Sequence, residues 1–226
     1  GQVEHDSGLV TLGERTPVLD GKIGDFEYNF AGCGFVNMLG KLSMRQSRYL
    51  LSYDRKNLYF GLVSELDGGA KRPGGAKRPE RAELLVVTDS EPKTLRRFAF
   101  APRGAAYQRR DDAWVPIEVD GASAAAGKWT LEAAIPFSAL GVAGAPDGKT
   151  WRFNVGRVFT APLEVTSAAP VAGKLDDTSN FINLAFRPGA PQIQLASLVN
   201  MKDGYKTTDL IARSDNPSQK ITLAAI

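Results

Sequence analysis

The chain has 226 residues, 43% hydrophobic and 23% charged, enough for one packed core with an appendage, and this excludes a disordered polymer. A single cysteine, Cys33, and a single histidine, His5, exclude an internal disulfide and any zinc site built from Cys and His. They also leave a Ser–His–Asp triad dependent on one histidine in a polar N-terminal stretch. The formal net charge of +3 is unevenly spread: from Gly68 to Arg110 eleven basic side chains face four acidic ones, so the remainder is net negative.

In chain order, Asp20-Gly21 ahead of Ile23 reads as a turn into a first strand. Residues 49–53 and 58–63 are rich in aromatic and branched side chains and flank Asp54-Arg55-Lys56-Asn57, which predicts a hairpin. Strands follow over 82–87, 97–100 and 114–119. Between the strands over 58–63 and 82–87, Gly68-Gly69-Ala70-Lys71-Arg72-Pro73 is repeated without change as residues 74–79. Two copies are too few for a solenoid, and Gly, Pro and charge together bury no core, so the repeat reads as a loop.

Residues 129–135 and 151–158 alternate cleanly, with Trp129 and Trp151 at their starts as packing residues. Pro136 to Leu140 followed by Gly141 predicts one short helical turn, and 180–186 a further strand. After Pro188 the character changes: 192–199 alternates, 200–208 reads as turn-rich, and Lys220-Ile221-Thr222-Leu223 lies near the end. Many short strands, 23 Gly, 13 Pro and few or no helices predict an all-β antiparallel sandwich of immunoglobulin or jelly-roll kind. The division expected is 1–189 as the sandwich and 190–226 as an extension, either extra strands or the edge of a following module.

Three segments carry a family resemblance: residues 19–26, residues 53–60, and residues 129–141 leading into 147–157. In this order they resemble the family 9 carbohydrate-binding modules and the wider DOMON-like sandwiches, over about Val18 to Arg187. The resemblance implies a sugar-binding, non-catalytic and exported module. With that reading, Gln2-Val3-Glu4-His5-Asp6 looks like a mature start, Gly1 like a tag remnant, and the chain holds no apolar run of about 18 residues to span a membrane.

The family's sugar clamp of two tryptophans is not matched. By register the first would fall near Lys77, the second near Leu175, and an arginine of that site near Ala99; Glu83 alone fits the pattern. Trp114, with Tyr107 seven residues earlier in a polar stretch, is the remaining aromatic candidate, to be weighed against a strand-anchoring role. The candidate ligand-binding set is therefore Glu83, Arg97, Tyr107, Trp114, Asn154 and Arg157, the last two from a family signature, in which a strand-borne arginine such as Arg157 also suits a buried structural pair.

No cofactor is expected. The family's haem variants use Met or His, and Met38, Met44 and Met201 lack a partner histidine in the patterned region. Asp111-Asp112 and Asp176-Asp177 admit a structural calcium ion but lack EF-hand spacing. The basic segment reads either as a solvated rim or as a contact for an anionic glycan; nucleic acid is not expected, since stacking aromatics are not interleaved with it. The leading function is a non-catalytic exported glycan-binding module. The alternative is a structural or interaction domain that has lost sugar binding. A glycoside hydrolase is the weakest reading, because Glu83, Asp111, Asp112, Glu118 and Glu132 show no pairing by spacing.

Overall fold

The computed structural model describes residues 8–67, 80–89, 93–118, 120–125, 127–202 and 205–214. The duplicated loop, His5 and residues 220–223 lie outside the described residues. Among those described, the strands in chain order are β1 (Leu9–Leu12), β2 (Phe30–Gly32), β3 (Val36–Asn37), β4 (Ser47–Tyr53), β5 (Asn57–Glu65), β6 (Arg81–Val87), β7 (Leu95–Phe100) and β8 (Ala106–Arg110). They continue with β9 (Ala113–Ile117), β10 (Gly121–Ala125), β11 (Lys128–Pro136), β12 (Thr150–Thr160), β13 (Leu163–Ser167), β14 (Ile182–Phe186), β15 (Gln192–Lys202) and β16 (Tyr205–Arg213).

Two sheets pack face to face. One runs β1-β14-β12-β6-β7-β8-β9, with β13 and β3 attached beside β12; the other runs β10-β11-β5-β4-β2-β15-β16. The all-β sandwich expected from the alternation is what forms. Antiparallel pairing dominates, with two parallel pairs, β1 with β14 and β15 with β2. Parallel neighbours need a long crossover; here almost the whole sandwich separates the strands of each pair.

The core is set by period-two alternation. Trp129, Leu131, Ala133 and Ile135 of β11 face Trp151, Phe153 and Val155 of β12 across the sandwich, with Phe60, Leu62, Leu84, Val86, Phe98 and Phe100 filling between them. Both tryptophans are buried, as their positions at strand starts imply. At the predicted hairpin, Asp54 Oδ1 accepts from Lys56 N at 2.7 Å and Asn57 N at 2.9 Å, closing the β4–β5 turn. The predicted helical turn is a 3-10 turn over Phe137–Leu140, ended by Gly141 at φ 78°, a conformation open to glycine at little steric cost.

Two expectations are corrected at their edges. Residues 178–180 form a 3-10 turn, because Asp177 caps Ser179 N at 3.1 Å, and the strand starts at Ile182. The region expected to be turn-rich, 200–208, instead carries the end of β15 and the first four residues of β16; in sequence only Asp203-Gly204, a composition favoured in two-residue hairpins, separates them.

Each sheet also has its outer face covered in part. Residues 19–28 cross the second sheet, packing Leu19, Ile23 and Tyr28 on Leu50 and Tyr59. Glu132 pins this strap: it accepts from Gly21 N at 2.7 Å, Asp20 N at 3.0 Å and Tyr28 Oη at 3.0 Å. Burial pushes the Glu132 carboxyl and the Tyr28 phenol above their ordinary pKa ranges. On the first sheet, Ala169, Val171, Leu175 and Phe181 pack on Leu85, Val87 and Val158.

At one end of the sandwich Arg157 is fully buried. Its Nε donates to Ser64 Oγ at 2.9 Å, its Nη1 to Val158 O at 2.8 Å, its Nη2 to Glu65 O at 2.8 Å and to Glu80, and the guanidinium lies 4.9 Å from the Trp129 ring centre. Arg157→Ala strands Glu80 and these acceptors, so a loss of about 3 kcal/mol of unfolding free energy is expected in urea titration. Nearby, Asp67 accepts from Arg45, Thr160 and the Ala161 N–H, and these donors hold its carboxyl below the ordinary value of 3.8. A lowered acid stabilises the fold above its unfolded value and loses that contribution as pH falls through the folded one. Thermal midpoints should therefore drop below about pH 4, and Asp67→Asn should flatten that limb.

Candidate functional site

Since Leu84, Val86, Phe98 and Phe100 enter the core, their neighbours Glu83, Leu85, Arg97 and Ala99 point to the outer face of the first sheet. The register carries this face to the sheet edge: Ala99 lies opposite Tyr107, Tyr107 opposite Pro116, and Arg109 opposite Trp114. The structure thus brings four predicted residues, Glu83, Arg97, Tyr107 and Trp114, onto one face. Tyr107 and Trp114 are each 39% exposed there.

Arg97 organises this surface. Its Nη2 donates to both oxygens of the fully buried Glu83, at 3.2 and 3.1 Å, and its Nη1 to Asp176 at 3.2 Å. Arg81 Nε reaches Glu83 at 3.4 Å. The Arg97 Nε is buried and finds no acceptor. Its guanidinium carbon lies 5.7 Å from the Trp114 ring centre, and that of Arg109 lies 5.6 Å away, within cation–π range. Arg109 pairs otherwise with the exposed Asp112 at 3.7 Å, a contact that solvent weakens strongly.

The other two candidates lie elsewhere. Asn154 is on the same sheet face but beneath the covering loop. Its Oδ1 accepts from Ser167 Oγ and Ala169 N, both at 2.9 Å, and its Nδ2 reaches Leu175 O at 3.4 Å. It holds the loop in place. Arg157 points to the interior, in the bonds given above. Both are fully buried, so a ligand would have to displace packed chain to reach either.

The position at which the family register puts a second tryptophan, Leu175, is filled by a buried aliphatic side chain. It lies so close to Gly156, opposite Glu83 on β12, that a β-carbon at 156 would collide with it. Three of the four paired acids are engaged within the protein: Asp176 with Arg97, Asp177 as a cap, and Asp112 with Arg109. Among the described residues no cluster of three or more metal-ligating side chains occurs, and no helix is long and apolar enough to cross a membrane. A separate polar cleft of about 370 Å³ lies between β1 and the start of β15, lined by Glu14, Arg15, Asn29, Gln192 and Arg213.

Sequence reasoning did not single out Arg109 or Asp176 as members of this surface. Arg109 shares the parity of Tyr107 on one strand, a signal present in the sequence. Asp176 arrives from a long loop, for which no local signal exists.

The fold is that of family 9 modules. A family 9 carbohydrate-binding module from Caldicellulosiruptor kristjanssonii, solved with glucose, is similar at a TM-score of 0.54 and 10% identity, over 80% of this chain and 96% of that one. A structure of such a module from that organism with cellotriose gives 0.54, 10%, 80% and 94%. A putative carbohydrate-binding protein from Bacteroides uniformis gives 0.59 and 12%, over 80% of this chain and all of that one. No protein-family model and no curated protein matches the sequence.

Glu83→Gln removes the charge that holds Arg97 and leaves a part-buried guanidinium half-paired. A loss of about 1–3 kcal/mol in urea unfolding is expected, against under about 1 kcal/mol for Asp176→Asn at the exposed end of the same arginine.

Proposed function

We propose that this chain is a non-catalytic, exported glycan-binding module whose contact surface is the open part of the first sheet's outer face. Trp114 is the stacking platform, Tyr107 the second aromatic, and Arg97 and Arg109 the donors. The observation that carries this reading is the half-exposed Trp114–Tyr107 pair beside an arginine fixed by a buried carboxylate. Sugar C–H faces suit aromatic rings, and sugar hydroxyls need fixed donors and acceptors. The glucose- and cellotriose-bound structures of the same fold support it. Arg109, weakly held by Asp112, is the group available to an anionic sugar.

A non-catalytic role is supported by where the buried carboxylates point. Glu83 faces outward from the first sheet and Glu132 outward from the second, with the full core between them. Paired carboxylates in glycoside hydrolysis act from about 5–9.5 Å on either side of one bond. The segment from residue 190 onward belongs, on this reading, to the same module through β15 and β16, and the DOMON-like kinship rests on the sequence motifs.

Calorimetric titration with neutral and uronic-acid oligosaccharides tests the proposal. Binding is expected, with Trp114→Ala weakening it by about 30-fold and leaving the unfolding midpoint nearly unchanged. Binding indifferent to both Trp114→Ala and Tyr107→Ala would sink this surface. A second reading, an interaction domain that has lost its sugar site, is favoured by Leu175 filling the clamp position. The absence of binding across the whole glycan panel would select it.

A further inference from the structure

The polar cleft between β1 and the start of β15 stands apart from the aromatic face, and its walls are held. Asn29, 3% exposed, accepts from Gly13 N at 2.7 Å and donates to Ala190 O at 3.3 Å. The fit is close enough that a β-carbon on Gly13 would collide with Asn29 and the Ala190 carbonyl. Glu14 N donates to Pro188 O at 3.1 Å and ties the two sides of the cleft together. Gln192 Nε2 donates to Phe26 O at 2.7 Å and to Tyr28 O at 3.3 Å, which fixes the orientation of its amide.

In that orientation Gln192 Oε1 is buried and accepts no hydrogen bond. A side chain lining the cleft thus carries an acceptor without a donor, which costs stability until a donor arrives. Two arginines line the same cleft. Arg15 Nε donates to Glu27 O at 3.2 Å, and the guanidinium carbon of Arg213 lies 5.5 Å from the Phe26 ring centre. Neither forms an ion pair among the described residues. Glu14, the acid of this wall, is taken by Arg55 at 2.9 and 3.0 Å.

We propose that this cleft is a ligand site of its own, for a single sugar ring that bears an oxyanion. The two arginines supply charged donors for a carboxylate or a phosphate, and Gln192 Oε1 takes a ring hydroxyl. The volume of about 370 Å³ is near the lower end of small-molecule sites, about 300–1,000 Å³, which suits one ring rather than a chain. An anion without hydroxyls would leave the Gln192 acceptor unmet, and a neutral sugar would leave both arginines unmet.

Calorimetric titration of the whole chain tests this, with and without Trp114→Ala so that any contribution of the aromatic face is removed. The probes are glucuronate, glucose 6-phosphate, glucose and cyclohexanecarboxylate. At least one of the two acidic sugars should bind at least about tenfold more tightly than glucose, and the tighter of them tells carboxylate from phosphate. Cyclohexanecarboxylate keeps the ring and the charge but has no hydroxyl, and should bind at least about fivefold more weakly than glucuronate. Arg15→Gln with Arg213→Gln should weaken the acidic sugars by at least about tenfold. Arg213→Gln alone, at an exposed position, should weaken them by about fivefold with the urea midpoint unchanged. Failure of both acidic sugars to bind, equal binding of glucose or of cyclohexanecarboxylate, or indifference to the arginine changes overturns the proposal. Loss of binding with Trp114→Ala also overturns it, because the acid would then sit on the aromatic face.

Discussion

The central strands of both sheets are buried on two sides, and much of the architecture answers that constraint. β4, β5, β6 and β12 are buried almost along their length, so each sheet needs cover on the face away from the core. The covers are irregular chain, and irregular chain under burial brings backbone N–H groups that need acceptors. Each cover is gathered onto the sheet by a side chain projecting from beneath it. Glu132 gathers two N–H groups and the Tyr28 hydroxyl on one side, and Asn154 takes an N–H, a hydroxyl and a carbonyl on the other. Both side chains act as fasteners for loops, and burial raises the pKa of Glu132.

The open surface follows from where the second cover stops. Leu175 and Phe181 seal the sheet over β12 and part of β6, while β7, β8 and β9 extend beyond them. Glu83 lies at the boundary, buried under the cover yet bonded to Arg97, whose other side meets Trp114. A buried anion thereby orients a cation beneath an exposed ring, with little freedom left to lose when a ligand arrives.

The fold was largely legible because alternation is a local signal. The strands around Leu58, Leu84, Trp129 and Trp151 stand where their patterns place them, and Asp54 and Gly141 mark turns by their own chemistry. Short strands such as Phe30–Gly32 and Val36–Asn37 carry too few residues to show a period, and exist because neighbours recruit them. Tyr107 and Trp114 were readable as exposed aromatics from their polar surroundings. For Arg157 a buried structural pair was readable beside the ligand reading; for Asn154 the fastening role was not, because a strand position does not reveal what a distant loop will lay across it. Leu175, 19 residues beyond Gly156, is that loop's contribution.

The parallel docking of β15 against β2 bears on how this module can be divided. β2 has only three residues and lies between β4 and β15, while Gln192 and Gln194 of β15 donate to the carbonyl of Tyr28 beside it. A cut after residue 189 would bare the outer rim of β2 and strip Tyr28 of those donors, leaving an open ladder ready to recruit a foreign strand. The stretch that reads in sequence as an appendage is, in three dimensions, a seal, and a severed module would be prone to stick to its own kind.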